Sequence, residues 1–432
     1  MELLSQHSKQ KYFEYIHYVF VFLLPIAPKM LPVLIILISL LWLLEGDFKT
    51  KFQQIISSKL LWVFISIYLI YLLGMTYTFN TLHGWKDLET KFTLLLFPLI
   101  YATSINAKKI QFFNVFKYLA YGCSLAALVG LGDSTYNFIY ELYARANNIV
   151  LDTSYPYTNY FFSAYVSPFL HTGYFALYIN VSIAFLLYHL LFKHQSLSLN
   201  IKRRFIFILI FLSCYNVLLL SKIGLISMIG IYVFIIYLWT KQKFSFYKQL
   251  LIVSLFLIFI IGVSLAIPKV RLNFEHLIET TFSKNESELD SEDGSASRLV
   301  AWKTSFDLAK IYFLTGVGTG DVKQTLTDEY KKRGYQNAYE IQLNSHNQYI
   351  QTTLAVGLAG LLALLLLVFF NIRNAIRKKD YIHFIFILLV STQFFVEASL
   401  ETQAGVIFIS FFNSAFNFIF TTSESSIKTI HQ

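Results

Sequence analysis

The sequence predicts an all-α integral membrane protein with about twelve transmembrane helices and one large outer loop that carries amphipathic helices. Of its 432 residues, 56% are hydrophobic and only 14% are charged. A soluble chain of this size needs far more charge to cover its surface. The apolar residues also occur in blocks long enough to span a bilayer. The net charge of +10 would suggest nucleic acid in a soluble protein, but in a membrane protein the positions of the cations matter more, and we expect no nucleic-acid partner.

Twelve apolar segments are predicted to form the spanning helices. They lie at about 13–27, 30–44, 60–78, 92–104, 114–132, 171–192, 204–220, 223–239, 248–267, 348–370, 382–398 and 404–421. The first is interpreted as a retained helix, because no small-residue cleavage site follows it. Cys123 and Cys214 both lie inside apolar segments, so neither a disulfide framework nor a cysteine-rich metal site is indicated.

The distribution of lysine and arginine supports this topology. With both termini on the inner side, the inner connections hold most of the lysines and arginines, for example Lys202, Arg203 and Arg204. The short outer connections hold only Lys29, Lys86, Lys91, Arg145 and Lys222, as the positive-inside rule requires. We therefore expect a membrane domain at 1–267, an outer loop region at 268–346 and a second membrane part at 347–432.

The outer loop region divides into three parts. Residues 283–297 are acidic and rich in serine, and their run Asp290–Asp293 is interpreted as a solvated loop and not as a metal site. Residues 298–314 place Leu299, Trp302 and Phe306 at helical spacing, which predicts an amphipathic helix on the membrane. Residues 321–335 are predicted to form a second, polar helix. The glycines at 316, 318 and 320 do not resemble a phosphate loop, because no strand precedes them.

His346 ends this polar region, and a long apolar helix follows directly. Asn344 or Ser345 is predicted to cap that helix, which would put His346 in the first turn, where the helix dipole favours neutral imidazole. His346 is therefore a candidate general base, and the alternative is an interfacial or capping histidine. Gly357 follows eleven residues later, which returns to the same helix face to within about 20° and lies about 16 Å deeper. It would allow a neighbouring helix to pack closely.

Other charged residues are predicted at the same outer surface. Lys222 either binds an anionic group or is a lysine whose ammonium reaches the interface from a helix end. Arg298 is predicted to start a helix, where a cation is disfavoured, so its position there either has a reason or is accidental. Glu397 and Glu401 could pair with a cation or bind an acceptor, or could lie in a solvated turn. A histidine base with two fixed cations and no metal site or cofactor suits a reaction whose leaving group is phosphate or diphosphate.

Several segments resemble the bacterial O-antigen ligases of the O-antigen ligase/polymerase superfamily. His346-Asn347, nine residues and Gly357 match the His-[Asn/Ser/Gln]-x9-Gly pattern of these enzymes. Further similar features are Arg298 with Trp302, Ser221-Lys222-x-Gly224, Asp87–Lys91 before Phe97-Pro98-Leu99, His171-Thr172-Gly173-Tyr174 and Glu401-x-Gln403-x-Gly405.

The resemblance implies a metal-independent, inverting glycosyltransferase of the GT-C-like membrane type in the bacterial inner membrane, with its active face in the periplasm. The donor would be a glycan on undecaprenyl diphosphate, and the acceptor a sugar hydroxyl of lipid A-core. His346 would be the base, and Arg298 and Lys222 would bind the diphosphate, although the family usually has arginine at the Lys222 position. The supporting residues would be Asn347, Gly357, Trp302, His171, Tyr174, Glu397 and Glu401.

Two alternatives remain open at this point. An O-antigen polymerase or a transferase that glycosylates protein would share the architecture and the chemistry. A transporter or flippase without catalysis would show paired repeats, broken helices and charges at mid-membrane depth, and the sequence shows little of this.

Overall fold

The computed structural model describes residues 6–149, 160–266 and 294–420, together with residues 268, 271, 272, 275 and 278. The acidic run Asp290–Asp293 lies outside these ranges. Within these ranges all regular secondary structure is helical, which confirms the predicted all-α class. The α-helices are α1 (Gln6–Leu23), α2 (Leu31–Leu44), α3 (Phe48–Ser57), α4 (Lys59–Gly74), α5 (Thr81–Lys91), α6 (Thr93–Thr103), α7 (Phe112–Ala146), α8 (Thr172–Phe192), α9 (Leu199–Leu218), α10 (Lys222–Lys241), α11 (Phe246–Ala266), α12 (Gly294–Ile311), α13 (Val322–Arg333), α14 (Gln336–Glu340), α15 (Gln348–Lys378), α16 (Tyr381–Val396) and α17 (Gln403–Ser414).

Each of the twelve predicted apolar segments overlaps one of these helices. By length and composition, five stretches among the described residues suffice to cross a membrane: Lys59–Tyr77, α7, α8, α10 and α15. Residues Pro28–Leu44 and Phe48–Ser57, bent by 108° at their junction, add a sixth if they are counted as one span. The apolar helices Tyr381–Val396 and Gln403–Ile419 are too short to be counted, and α9 and α11 are not among the five stretches although they have 20 and 21 residues, so the predicted number of twelve spans is not confirmed.

The chain forms two compact units. The first comprises residues 1–14, 37–110 and 274–432, and the second comprises residues 15–36 and 111–273. In the second unit α8 packs against α7, α9 and α10, and it is buried over most of its length. Its buried amide Asn180 donates to the carbonyl of Gly224 at 2.9 Å, which satisfies a polar side chain inside an apolar bundle.

In the first unit α15 packs against α4, α12 and α16, while α17 packs against α6. The two predicted helices of the outer loop region are present. The first, α12, begins at Gly294 instead of residue 298, so Arg298 lies in its second turn and not at its start. The second, α13, agrees with the predicted polar helix within a few residues.

Helix α15 is interrupted at Val356 and Gly357, whose backbone angles are not helical. The prediction that Gly357 continues the helical face of His346 is therefore wrong, because a projection at constant pitch does not hold across a break. Gly357 has φ +65°, and a Cβ built on it would lie 2.3 Å from the carbonyl oxygen of Leu314. Glycine at 357 thus allows the backbone of a loop, and not a neighbouring helix, to pack closely against α15.

The loop after α12 satisfies the carbonyl groups that the break leaves free. Val317 N donates to the carbonyl of Leu354 at 2.8 Å, and Gly318 N donates to that of Ala355 at 3.0 Å. Gly316 and Gly318 have φ of +74° and +111°, which glycine adopts without strain. The positive φ angles of these glycines place the backbone N–H groups of Val317 and Gly318 against the end of the first half of α15, and the glycines have no phosphate-binding pattern.

Candidate active site

His346 lies immediately before α15. Asn347 is the N-cap, and its Oδ1 accepts a hydrogen bond from the N–H of Ile350 at 3.1 Å. The expectations that Asn344 or Ser345 caps the helix and that His346 lies in its first turn are therefore wrong. The reason is that His346 has φ +44°, a left-handed conformation that turns the chain just before the helix begins.

Three neighbouring side chains hold the backbone at this strained position. Asn344 Oδ1 accepts from His346 N at 2.9 Å, and Trp302 Nε1 donates to the carbonyl of His346 at 2.9 Å. Asn347 Nδ2 donates to the carbonyl of Phe395 at the end of α16, at 3.1 Å. A non-glycine residue in the left-handed region persists only where its surroundings fix it, and such positions are common at functional sites. Trp302 thus holds the carbonyl of His346, and Asn347 ties the next residue of the chain to the end of α16.

Glu397 lies between His346 and Arg298. Its Oε2 is 3.2 Å from Nδ1 of His346, and its Oε1 forms an ion pair with the guanidinium of Arg298. The Glu397 side chain is only 9% exposed, against 21% for His346 and 30% for Arg298. Burial acts to raise the pKa of Glu397, but the hydrogen bond from His346 and the charge of Arg298 outweigh it and lower that pKa to about 2.

The ionised carboxylate decides which imidazole nitrogen carries the proton. A carboxylate accepts hydrogen bonds and cannot donate them, so Nδ1 of His346 must be the donor. In the neutral ring Nε2 is then unprotonated and is available as an acceptor. The ring is oriented and its tautomer fixed by the side chain behind it, an arrangement that supports proton transfer at Nε2.

Glu401, four residues after Glu397, belongs to a second charged cluster. Its Oε1 lies 3.0 Å from the ammonium of Lys91, which also pairs with Asp87 and lies 4.7 Å from the ring centre of Tyr71. Lys91 is completely buried. Burial disfavours the ammonium, but the two carboxylates outweigh it and raise the pKa of Lys91 above its ordinary value. Of the alternatives left open for Glu397 and Glu401, pairing with a cation is the one that the structure shows.

Lys91, the buried cation of this cluster, was not predicted from the sequence to have a structural role. Its only signal was the spacing Asp87–Lys91, four residues apart on α5, which is also the spacing of an ordinary surface pair. Gln348 was also missed, although its buried Oε1 accepts from Leu400 N at 2.6 Å. This bond ties the start of α15 to the connection that carries Glu397 and Glu401.

Three predicted site residues belong to the second unit. Ser221 caps α10 by accepting from Gly224 N at 3.2 Å, and Lys222 is the first residue of that helix. His171 caps α8, with its Nδ1 accepting from Gly173 N at 3.3 Å, and its ring lies edge-on to that of Tyr174 at 6.1 Å. The segment Ser221–Gly224 therefore forms the start of α10, and the segment His171–Tyr174 forms the start of α8. Among the residues that the structure describes, no group of three His, Cys, Asp or Glu side chains is arranged to hold a metal ion.

Comparison with known proteins gives one family. Residues 206–365 match the family model described as O-antigen ligase, a range that includes α10, Arg298 and His346. No curated protein matches the chain. The family match supports membership of the O-antigen ligase/polymerase superfamily.

Proposed function

We propose that this chain belongs to the O-antigen ligase/polymerase superfamily of membrane glycosyltransferases, and that it transfers a glycan from undecaprenyl diphosphate to a sugar hydroxyl of lipid A-core. The reaction would take place on the periplasmic face of the inner membrane. The observation that carries this proposal is the contact between Glu397 and His346, with Arg298 on the other oxygen of the same carboxylate.

The proposed step is an inverting displacement. Nε2 of His346 takes the proton from the acceptor hydroxyl while its oxygen attacks the anomeric carbon of the donor. The bond from that carbon to the diphosphate oxygen breaks, and the diphosphate leaves with the electron pair. Glu397 holds the proton on Nδ1 and stabilises the imidazolium that forms, so it acts as a positioning residue.

Fixed cations would stabilise the leaving diphosphate. Arg298 forms an ion pair with Glu397, and its guanidinium is the first proposed cation for the diphosphate. Lys222, at the start of α10, is the second proposed cation. It supplies a point charge without the fork of the arginine that is usual in the family at this position. The substitution therefore keeps the charge and loses the bidentate geometry.

The experiment compares His346→Ala with His194→Ala, a matched control at an exposed histidine. Both proteins, in proteoliposomes, are given lipid-linked glycan and lipid A-core. We expect His346→Ala to fold, to unfold at a lower temperature than the wild type because the hydrogen bond to Glu397 is lost, and to lose transfer by at least about 100-fold. His194→Ala should transfer at the wild-type rate. Normal transfer by folded His346→Ala would exclude His346 as the base.

A deletion strain separates ligation from polymerisation. If the chain is a ligase, its loss leaves long glycan polymer on the lipid carrier. If it is a polymerase, its loss leaves single repeat units. Polymer that is missing only from a glycoprotein would indicate a transferase that acts on protein.

A further inference from the structure

The first unit contains a polar cavity of about 330 Å³. Its lining includes Tyr71, His83, Lys86, Asp87, Thr90, Thr319, Lys323, Gln342, Asn344, Gln351 and Glu401. Its volume is at the lower end of the range of roughly 300–1,000 Å³ for small-molecule sites. Charged, amide and hydroxyl groups share this lining with the apolar side chains of Val322, Leu326 and Ala355, which indicates a ligand with both polar and apolar surface, as a saccharide has.

One face of α5 forms a wall of the cavity. His83, Lys86, Asp87 and Thr90 have the spacing of one helical face, and α13 contributes Lys323. Asp87 and Glu401 are already paired with Lys91. Lys86 and Lys323 are exposed, and neither ammonium forms an ion pair with any residue that the structure describes. With three lysines (Lys86, Lys91 and Lys323) against two carboxylates (Asp87 and Glu401), the cavity carries a net positive charge toward a ligand.

The cavity and the candidate active site share two chain segments. Asn344 and Gln351 line the cavity, and each also holds the backbone next to the candidate base: Asn344 Oδ1 accepts from His346 N at 2.9 Å, and Gln351 Oε1 accepts from Ser345 N at 3.3 Å. Glu401 lines the cavity, and Glu397, four residues before it, contacts His346. A ligand in the cavity would thus be bound against the segment that carries His346.

Helix α5 also presents apolar side chains to the outside. Leu82 and Trp85 are 69% and 61% exposed, and Phe79, just before the helix, is 95% exposed. The helix begins four residues after the candidate span Lys59–Tyr77 ends. Large exposed apolar and aromatic side chains next to a span are typical of the membrane interface. We expect the ligand of the adjacent cavity to be the head group of a lipid-anchored molecule.

We propose that this cavity binds a phosphate-bearing saccharide of the acceptor, with Lys86 and Lys323 on its phosphate and Gln342 and Asn344 on its hydroxyls. The proposal rests on the proposed function, because it assigns the acceptor side of the same reaction. Lysine is a point charge that recognises phosphate without bidentate geometry, and side-chain amides supply the donors and acceptors that sugar hydroxyls need.

The kinetic test uses the double variant Lys86→Gln/Lys323→Gln in nanodiscs, with the lipid-linked donor and either native or phosphatase-treated acceptor. With native acceptor we expect the acceptor KM to rise about tenfold, while the donor KM stays the same. With the dephosphorylated acceptor, variant and wild type should have equal acceptor KM values. The matched control is Lys332→Gln, which removes an exposed lysine of α13, the helix of Lys323, that does not line the cavity. An unchanged KM for native acceptor, or the same rise with both acceptors, would overturn the proposal.

Binding measured by calorimetry separates this proposal from the proposed function. The probe is phosphorylated core oligosaccharide without its acyl chains, and we expect about tenfold weaker binding to the double variant than to the wild type. If inorganic phosphate competes as well as the oligosaccharide does, the site takes free phosphate and the proposal is wrong. Failure of the wild-type protein to transfer the glycan would overturn the proposed function and leave this binding result intact.

Discussion

Glu397 accepts a hydrogen bond from Nδ1 of His346 at 3.2 Å, across a separation of 51 residues in the chain. This contact turns a histidine at the start of a membrane helix into an oriented imidazole with a defined tautomer. The carboxylate comes from the connection after α16, and it is itself fixed by Arg298 of α12. Three elements that are distant in sequence therefore meet at one buried carboxylate.

Glu397→Gln is expected to reduce transfer by about 100-fold or more. The amide keeps the shape of the side chain but loses the charge that stabilises the imidazolium, and it can present its NH₂ group to Nδ1, which selects the wrong tautomer. Glu397→Asp, which retains the charge, should recover part of the rate. The measurement is the initial rate of glycan transfer, with Glu340→Gln at an exposed position as control. Full activity of folded Glu397→Gln would show that the carboxylate does not assist His346.

The same carboxylate should make stability depend on pH in a defined direction. The pKa of Glu397 lies at about 2 in the folded protein, below its ordinary value of 4.5. The contribution to stability is therefore complete above about pH 4.5 and is lost as the pH falls through 2. It amounts to about 3 kcal/mol, of which about 2 kcal/mol should be lost at pH 3. The measurement is the difference in unfolding free energy between wild type and Glu397→Gln at pH 6 and pH 3, and a constant difference would contradict the assignment.

Gly357→Ala should destabilise the protein by about 3 kcal/mol or more. Alanine is strained at φ +65°, and its Cβ would meet the carbonyl of Leu314 at 2.3 Å, a backbone atom that cannot rotate away. Gly132→Ala in α7 is the control, because a Cβ there points into open space and alanine is the better helix former. Unfolding free energies of the two variants in detergent give the comparison. An equal or smaller loss at Gly357 would mean that the break in α15 can straighten.

Lys91→Met should cost about 3–5 kcal/mol, because it leaves Asp87 and Glu401 buried without their cation. The triple variant Lys91→Met/Asp87→Asn/Glu401→Gln should recover much of this loss, since no uncompensated charge then remains. Thermal unfolding of the single and triple variants tests the pairing. A triple variant that is less stable than the single one would show that the cluster contributes more than charge balance.

Much of the helical fold follows from the sequence, because long apolar blocks leave the backbone no partner except itself. The segment from Gln348 onward illustrates this, since its apolar run predicts the helix correctly. The same pattern gives no sign of the break at Val356 and Gly357, because the residues on both sides remain apolar. At the break, the carbonyl groups of Leu354 and Ala355 accept hydrogen bonds from Val317 and Gly318, which belong to another part of the chain. The local sequence around Gly357 does not predict these contacts.

The candidate site was predictable in its members but not in its pairing. Residue type and position point to His346, Arg298, Trp302 and Glu397, whereas Asn347 follows only from the resemblance to the O-antigen ligases. The sequence could not show that Glu397 lies against His346 while Glu401, four residues later, contacts Lys91. Four residues make one turn of a helix, and both carboxylates would share a face if α16 continued. The chain instead ends α16 at Val396 and forms a short 3₁₀ turn at Ser399–Glu401, which separates their directions.

Because α15 is interrupted at Val356 and Gly357, the directions in which the side chains of its second half point do not follow from those of its first half. The turn of the chain at His346 is held by Asn344 and Trp302, and the end of the first half of α15 is held by Val317 and Gly318. None of these contacts involves the second half of the helix. One residue inserted after Gly360 would rotate everything beyond it by roughly 100° and leave the direction of the imidazole unchanged. The lower half of the helix can therefore vary with bilayer thickness while the upper half stays in place.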